Sequence, residues 1–217
     1  MNNQSFGCLE SPRDLRDYRL VSGVSNLPET FELPKPSVKN QGSVNSCVAH
    51  ALSELLEKYN NVFSTGWIYG YRPEGYYQGQ GMFPREALKT LQQLGAVTQA
   101  DFPVNVEMSE AKDLVDKNID ILSNQAQSFK IQSYLRLYTV NEIKEWIYKG
   151  IPVPFSIKVN SIKLDDKNII QLDSQGDSGH MMLAYRMEWI WIISFKLMAE
   201  ILLEIMELAY YLMNILS

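Results

Sequence analysis

The strongest constraint on the fold is the order in which two hydrophobic patterns follow each other along the chain. Apolar residues recur at helical spacing in residues 46–59, 84–94 and 140–149. After that point the pattern changes, and residues 151–159 and 169–172 are rich in the β-branched and aromatic side chains typical of strands. Because helices precede strands instead of alternating with them, the sequence predicts an α+β fold with two segregated lobes.

Each predicted helix carries a signal at one of its ends. Ser46 is a good N-cap for the first helix, and Pro84 suits the first turn of the second. Thr139 and Glu142 have the spacing of a capping box at the start of the third helix, and Gly150 is its predicted stop.

Composition limits the class of protein. The chain has 217 residues, 46% of them apolar, which is enough for one substantial domain or two small lobes that share an interface. Its 20 basic and 25 acidic residues give a net charge of −5 without a basic block, so we expect no nucleic-acid partner. Residues 1–10 lack the apolar core of a signal peptide, and the distant Cys8 and Cys47 favour free thiols over a disulfide. We therefore expect a cytoplasmic protein.

One segment carries the groups needed for nucleophilic chemistry. Residues 39–51 have the sequence KNQGSVNSCVAHA, which puts Cys47 in the first turn of a predicted helix. The positive end of the helix dipole favours the reactive thiolate, so we expect it to lower the pKa of Cys47. Gln41 lies six residues earlier, where its amide and the Cys47 backbone N–H could hold an oxyanion. A lone cysteine in an apolar helix is more often a small buried hydrophobe, but the whole Gln-Gly-x-x-x-Ser-Cys run favours a nucleophile.

A cysteine nucleophile needs a base, and the chain has two histidines. His50 follows the flank of the same helix as Cys47, and we interpret it as structural. His180 follows a Ser-Gly pair and precedes an apolar strand, a position from which an imidazole can face a cleft, so we predict it to be the base. Two histidines and two cysteines with these spacings make a poor ligand set, and we expect neither a metal nor a cofactor.

These segments resemble the papain-like cysteine peptidases. The stretch VKNQGSVNSCVAHA resembles the nucleophile motif of that family, and SGHMMLA resembles the motif around its histidine. Between them, GQGMFPREALKTLQQLGAVTQADFPV is similar to the family's glycine loop and following helix, and YTVNEIKEWIYKGIPVPFSI to the helix and strand before the histidine. The stretches GCLESPRDLRDYRL and LPETFEL look like the start of bacterial members that lack a long inhibitory propeptide. The resemblance covers about residues 6–185.

The resemblance implies a fold and a site. It implies a helical left lobe and a β-barrel-like right lobe, with Cys47 and His180 on opposite walls of the cleft between them. By position, Gln41 takes the oxyanion role. The residues that would line the substrate groove are Gly79, Gly81, Met82 and Gly179.

The resemblance also divides the chain into three parts. Residues 1–26 form an N-terminal extension, residues 27–185 the peptidase domain, and residues 186–217 an atypical apolar tail. The sequence leaves open whether the extension covers the cleft.

The tail departs from the family pattern. The family has a third catalytic residue, an asparagine in an Asn-Ser-Trp-Gly run after the histidine, which orients the imidazole as the third member of a triad does. Here no asparagine follows His180 until Asn214, and no glycine follows Gly179. Arg186 also stands where the family usually has glycine. We therefore expect an incomplete right lobe and impaired activity.

One explanation of the tail is a genuine, divergent helix. Its charged residues Lys196, Glu200, Glu204 and Glu207 fall on one helical face, which predicts an amphipathic helix that covers the lobe or docks on a partner. Those charges and the short apolar runs argue against a membrane span, while association of the tail with a membrane surface stays open.

The competing explanation is a change of reading frame near residues 185–195. Met206 followed by Glu207 must be encoded ATG-GAR, which contains the glycine codon GGA in a shifted frame. In that frame residues 202–209 can encode Phe-Gly-Asp-Asn-Gly-Thr-Cys, which resembles the glycine-rich stretch after the family's asparagine.

The predicted function is that of a cysteine-type endopeptidase, which hydrolyses a peptide or protein substrate through a Cys47–His180 thiolate–imidazolium pair. One alternative is a catalytically inactive remnant or peptide-binding module that keeps the cleft without turnover. Another is an amidase on a related cysteine-hydrolase scaffold. The amidase fits less well, since such scaffolds need not place a glutamine six residues before the nucleophile.

Overall fold

The structure has two hydrophobic cores. One lies among helices and the other under a sheet, and the helices come mostly before the strands along the chain, as predicted. The computed structural model describes residues 7–12, 14, 26–71, 81–103, 108–159, 162–164, 170–172, 178–187 and 209–215. Most of the helices precede the strands along the chain. The predicted α+β class is therefore confirmed.

The first core is helical. Its elements are α1 (Cys47–Leu56), α2 (Thr65–Gly70), α3 (Pro84–Gln93) and α4 (Met108–Ala126). They bury a shared set of large side chains, which includes Leu52, Leu55, Leu56, Trp67 and Leu88. Since burying one such side chain stabilises the fold by roughly 1.5–3 kcal/mol, these contacts make α1 a firm platform for its N-terminus.

The second core lies under an antiparallel sheet. The strands are β1 (Ile131–Leu137), β2 (Val153–Val159), β3 (Ile162–Leu164), β4 (Ile170–Leu172), β5 (Ser178–Ala184) and β6 (Ala209–Ile215). Four of them form an open sheet in the order β1-β6-β2-β5, while β3 and β4 pair separately. Helix α5 (Val140–Tyr148) packs on this core, where Ile147 and Val153 are fully buried. Such a small, open sheet agrees with the predicted incomplete right lobe.

Local end signals locate α3 and α5 correctly. Pro84 is the first residue of α3. At the start of α5 the Glu142 N–H donates to Thr139 Oγ1 (3.1 Å), and the Thr139 N–H donates to Glu142 Oε2 (2.9 Å). The predicted capping box is thus complete. Gly150 follows the helix with a φ of +88°, a left-handed conformation that favours glycine.

Ser46 is the N-cap residue of α1, as predicted, but its side chain makes no capping hydrogen bond. The Ser46 side chain accepts no hydrogen bond from the first turn, and its backbone lies at φ −106° and ψ 21°. An N-cap usually has extended backbone, which aims its oxygen at the first-turn N–H groups. The Ser46 hydroxyl instead lies 3.2 Å from His50 Nδ1.

Helices α2 and α4 and strands β1 and β3 have no counterpart in the sequence predictions. Helix α2 has six residues, two of them glycine, and is too short to show a period; Ser64 Oγ caps it by accepting from the Trp67 N–H (3.1 Å). Helix α4 is longer but buries only a narrow stripe of small and apolar residues. Strand β1 also went unpredicted. Among the described residues, no helix is long and apolar enough to cross a membrane.

The prediction of a helical tail is wrong for residues 209–215. This segment forms β6, which pairs with β1 from Leu137↔Ala209 to Ile131↔Ile215 and contacts β2 at Phe155↔Ala209. The backbone groups of β1 and β2 need hydrogen-bond partners, and strand pairing satisfies them whatever the local preference of the segment. The charged positions that suggested a helix lie outside the described residues.

The capping box at α5 generates a stability prediction. Thr139→Ala removes the hydroxyl that accepts the Glu142 N–H, so we expect the free energy of unfolding to fall by about 1 kcal/mol. Urea denaturation followed by circular dichroism measures this change. Thr139→Ser is the matched control, because it keeps the hydroxyl. Equal destabilisation by both variants would contradict the role of the cap.

Candidate active site

The loop before α1 determines where Cys47 lies. Gly42 has a φ of +60°, a conformation that other residues rarely adopt. Its N–H donates to Asn40 Oδ1 (2.9 Å), and the Val44 N–H donates to the Gln41 carbonyl oxygen (3.2 Å). This tight turn leads directly into α1 and places Cys47 at its first position, at the positive end of the helix dipole.

Gln41 is held by the same turn. Its side-chain Nε2 donates to the Val44 carbonyl oxygen at 3.0 Å. A primary amide carries two N–H groups, and this bond sets the orientation of both. The predicted oxyanion role of Gln41 depends on the other N–H.

His180 comes from the other lobe. It lies on β5, opposite Ile157 of β2, and is partly buried. The next residue, Met181, donates its backbone N–H to the sulfur of Cys47. The start of α1 therefore meets β5 at Met181, one residue beyond His180.

Burial controls the protonation of both groups. Cys47 is only 1% exposed, and this burial raises the pKa of its thiol, although the backbone N–H groups of Met181, Gly7 and Val48 act in the opposite direction. Burial also lowers the pKa of His180 to about 4. In this state both groups are neutral at pH 7. The expectation that the helix dipole lowers the pKa of Cys47 is wrong here, because loss of solvent outweighs the dipole.

His50 is bonded within its own helix. Its ring is buried, and Nδ1 lies 3.0 Å from the Ser46 carbonyl oxygen, one turn earlier. Burial lowers the pKa of His50, so the ring is neutral at pH 7. This geometry supports the structural interpretation of His50.

Part of the N-terminal extension covers the site. Residues 7–12, which we call the N-terminal strap, run alongside Met82. The Met82 N–H donates to the Gly7 carbonyl oxygen (2.7 Å), and the Leu9 N–H donates to the Met82 carbonyl oxygen (2.8 Å). The Gly7 N–H in turn donates to the sulfur of Cys47. The strap is therefore one of the elements that remove the thiol from water.

The strap is also attached on its other side and at its end. The Cys8 N–H donates to the Gly179 carbonyl oxygen (2.9 Å), next to His180. The Arg85 N–H donates to Ser11 Oγ (3.2 Å), and the Arg85 guanidinium donates to the carbonyl oxygen of Pro12. The strap thus bridges the helical lobe and β5 across the predicted catalytic pair.

Three of the four predicted groove residues contact the strap. Met82 and Gly179 form the backbone bonds just described. A Cβ atom at Gly81 would lie only 2.8 Å from Leu9 Cγ, and one at Gly179 would collide with the Cys8 carbonyl group. The lack of a side chain at Gly81 and Gly179 therefore lets the extended strap approach their backbone closely. Gly79 lies outside the described residues.

Cys8 is the residue at this site that the sequence analysis missed. It was assigned to the extension without a role, since no spacing along the chain connects it with Cys47. The fold buries it to 6% exposure between Met82 and β5. Even with this second thiol, the described residues contain no group of three histidine, cysteine or acidic side chains that could hold a metal ion.

Comparisons with known proteins bear on the fold. No protein-family profile matches the sequence, and no curated protein matches it significantly. Xylellain, a cysteine protease from Xylella fastidiosa, superposes with a TM-score of 0.65 and 23% identity, over 85% of this chain and 80% of xylellain. Digestive procathepsin L 3 of Tenebrio molitor larval midgut superposes with a TM-score of 0.55 and 15% identity, over 85% of this chain and 61% of the procathepsin. Bromelain from Ananas comosus, in complex with the E64 inhibitor, superposes with a TM-score of 0.50 and 12% identity, over 87% of this chain and 100% of bromelain.

Identities this low establish the fold and nothing finer. The architecture agrees with the expectation drawn from the Cys47 and His180 motifs, since Cys47 begins a helix of the helical core and His180 lies on a strand of the sheet. The chain therefore has the fold of the papain-like cysteine proteases.

Proposed function

We propose that the protein is a cysteine-type endopeptidase in which Cys47 is the nucleophile and His180 the base. One observation carries the proposal: the Cys47 sulfur, at the first residue of α1, accepts a hydrogen bond from the backbone N–H that follows His180. This bond supports the proposal because it joins the residue proposed as nucleophile to the strand that carries the proposed base. Covalent catalysis by a thiol requires a base and an oxyanion donor near it, and we assign these roles to His180 and Gln41.

The proposed reaction is acyl transfer. His180 takes the proton of Cys47, and the thiolate attacks a peptide carbonyl carbon. The Cys47 backbone N–H and the second N–H of the Gln41 amide stabilise the resulting oxyanion; one such donor is worth roughly 3 kcal/mol of the barrier. Collapse of the intermediate passes the proton from His180 to the leaving amine, and water then hydrolyses the thioester.

The proposed active state differs from the covered one in its solvation. Under the strap the thiol and the imidazole are both neutral, because burial raises the pKa of Cys47 and lowers that of His180 to about 4. Admission of water removes the burial penalty on both charged forms. The dipole of α1 and the N–H groups at the sulfur then favour a thiolate beside an imidazolium.

The strap occupies the place that we assign to substrate. Its backbone bonds to Met82 and Gly179 are of the kind by which an extended peptide is held along the edge of a strand. Gly7 donates its N–H to the Cys47 sulfur. The strap is therefore held against the proposed nucleophile, and a substrate has to displace it.

An inactive remnant is the second candidate, and the tail is the observation that favours it. No asparagine follows His180 until Asn214, which belongs to β6. Near the position where the family has glycine, Arg186 bonds instead to Glu32, with Nε 3.6 Å from Oε2. A chain that lacks the orienting amide holds its imidazole less firmly.

Labelling with an E64-type epoxide separates the two candidates. In the reduced protein we expect the epoxide to alkylate Cys47, no labelling in Cys47→Ser, and a rate about 100-fold lower in His180→Ala, since general-base assistance is lost. Cys8→Ser is the control and keeps the label. The same rate in His180→Ala as in the unmodified chain would contradict the peptidase and favour the remnant.

The tail generates a prediction about turnover. Without the asparagine we expect kcat/KM on a peptide substrate to lie below that of a papain-like protease that carries it, by up to about 10⁴-fold, the loss seen when the orienting member of a triad is removed. The two enzymes are compared side by side, and equal values would contradict the prediction.

The nucleotide sequence of codons 185–209 decides the frame hypothesis: an alternative frame without an asparagine and the glycine-rich run would exclude it.

Displacing the strap is expected to expose the nucleophile. A methyl group at Gly7 would collide with the Asn45 carbonyl group, so Gly7→Ala should push the strap away from Cys47. We expect alkylation of Cys47 to become about tenfold faster, which corresponds to the loss of one or two backbone hydrogen bonds.

Two controls belong to this experiment. Glu10→Gln changes an exposed strap residue whose carboxylate lies 4.0 Å from Lys158 Nζ, and it should leave the rate unchanged. Gly7→Ala combined with His180→Ala should remain slow, which excludes unfolding as the cause of faster labelling. If Gly7→Ala alone does not raise the rate, the strap does not limit access to Cys47.

A further inference from the structure

A second buried thiol lies beside the proposed nucleophile, and the proposed reaction does not use it. Cys8 is 6% exposed, and its thiol donates weakly to the Leu9 carbonyl oxygen (3.9 Å). The Ser156 hydroxyl of β2 donates to the Cys8 sulfur. The side chain of Cys8 therefore faces the interior of the site, on the side of β2 and β5.

The backbone of the strap brings Cys8 close to Cys47. The N–H of Gly7, one residue before Cys8, donates to the Cys47 sulfur. Because consecutive Cα atoms are about 3.8 Å apart, the Cα of Cys8 lies roughly one peptide unit beyond that contact. On β5 the two cysteines contact Gly179 and Met181, the two neighbours of His180.

The two sulfurs also interact electrostatically. Burial is the largest cause that raises the pKa of the Cys8 thiol, and a negative charge on Cys47 raises it further. In the covered state both thiols are thus protonated and shielded, and protonated thiols react poorly with oxidants. Reaction becomes favourable when the strap lifts, because Cys47 is then solvated beside His180. The return of the strap brings Cys8 back to the oxidised sulfur.

We propose that Cys8 is a resolving cysteine for Cys47, and that a peroxide converts the pair into a Cys8–Cys47 disulfide that ties the strap over the active site. The proposal rests on the proposed function only in so far as the bond blocks the nucleophile. In the first step the Cys47 thiolate attacks one peroxide oxygen, the O–O bond breaks, and Cys47 sulfenic acid and hydroxide form. In the second step the Cys8 sulfur attacks the Cys47 sulfur, the S–O bond breaks, and water leaves with the Cys8 proton. Two thiols are oxidised, and one peroxide is reduced to two waters.

The proposed disulfide changes the product that forms when Cys47 is oxidised. A sulfenic acid without a resolving thiol is oxidised further to sulfinic acid, which thiol reductants do not reverse. A disulfide protects Cys47 from that fate, and a dithiol reductant restores both thiols. The strap would then switch from a reversible cover to a covalent one, according to the redox state of its surroundings.

The test uses the full chain treated with hydrogen peroxide. Peptide mapping by mass spectrometry under non-reducing conditions should show residue 8 linked to residue 47, with the loss of two hydrogens. Alkylation of Cys47 by the epoxide should be lost and should return after dithiothreitol. In Cys8→Ser the linked peptide should be missing, Cys47 should carry sulfinic acid, and dithiothreitol should restore at least tenfold less labelling. Glu10→Gln is the control and should behave as the unmodified chain.

Absence of the linked peptide from the unmodified chain, together with equal recovery in Cys8→Ser, would overturn the proposal. The mass-spectrometric readout needs no catalysis, so it tests the Cys8–Cys47 disulfide independently of the proposed peptidase activity. A linked peptide in a chain whose reduced form gives no His180-dependent labelling would leave the disulfide standing and refute the peptidase. The reverse result would refute only the disulfide.

Discussion

Three backbone hydrogen bonds, two to Met82 and one to Gly179, hold residues 7–9 against the thiol of Cys47. They contribute to the electrostatics of the site, because the strap is one of the elements that keep water from the thiol, and a buried thiol favours its neutral form. The dipole of α1 and the N–H groups around the sulfur act against this effect but do not overcome it. The contact between the strap and the site is thus the interaction on which protonation, access and the proposed redox chemistry all depend.

Each lobe holds one of the two candidate catalytic residues on a rigid element of secondary structure. Helix α1 is anchored by fully buried leucines in the helical core, so its N-terminus is a fixed position for Cys47. Strand β5 is held by β2 along its whole length, from Val153↔Ala184 to Val159↔Ser178, and this fixes the backbone on both sides of His180. The proposed nucleophile lies on a helix and the proposed base on a strand, and a segment that is bonded to both lobes can control access to the thiol.

The sequence predicts an element of this structure well when the interactions that form it join residues close together in the chain, and poorly when they join distant segments. Helices α3 and α5 were found because Pro84 and the Thr139–Glu142 pair act within one turn. Ser46 takes the predicted N-cap position, but its hydroxyl makes no capping bond and lies instead 3.2 Å from His50 Nδ1, a competing contact with the same helix. Strand β6 was missed because it is defined by pairing with β1 and β2, which are distant in sequence, and the charges that suggested a helix lie outside this strand.

The sequence by itself determined the candidate nucleophile, its oxyanion partner and its base, because Gln41, Cys47 and His180 stand in motifs whose chemistry depends on residue type and short spacing. It also showed that no asparagine follows the histidine before Asn214. Only the tertiary structure decided that burial favours the neutral forms of Cys47 and His180, that residues 7–12 lie against Cys47, and that Cys8 approaches Cys47. Desolvation and strand pairing depend on which segments meet in space, and no local pattern of residues encodes that meeting.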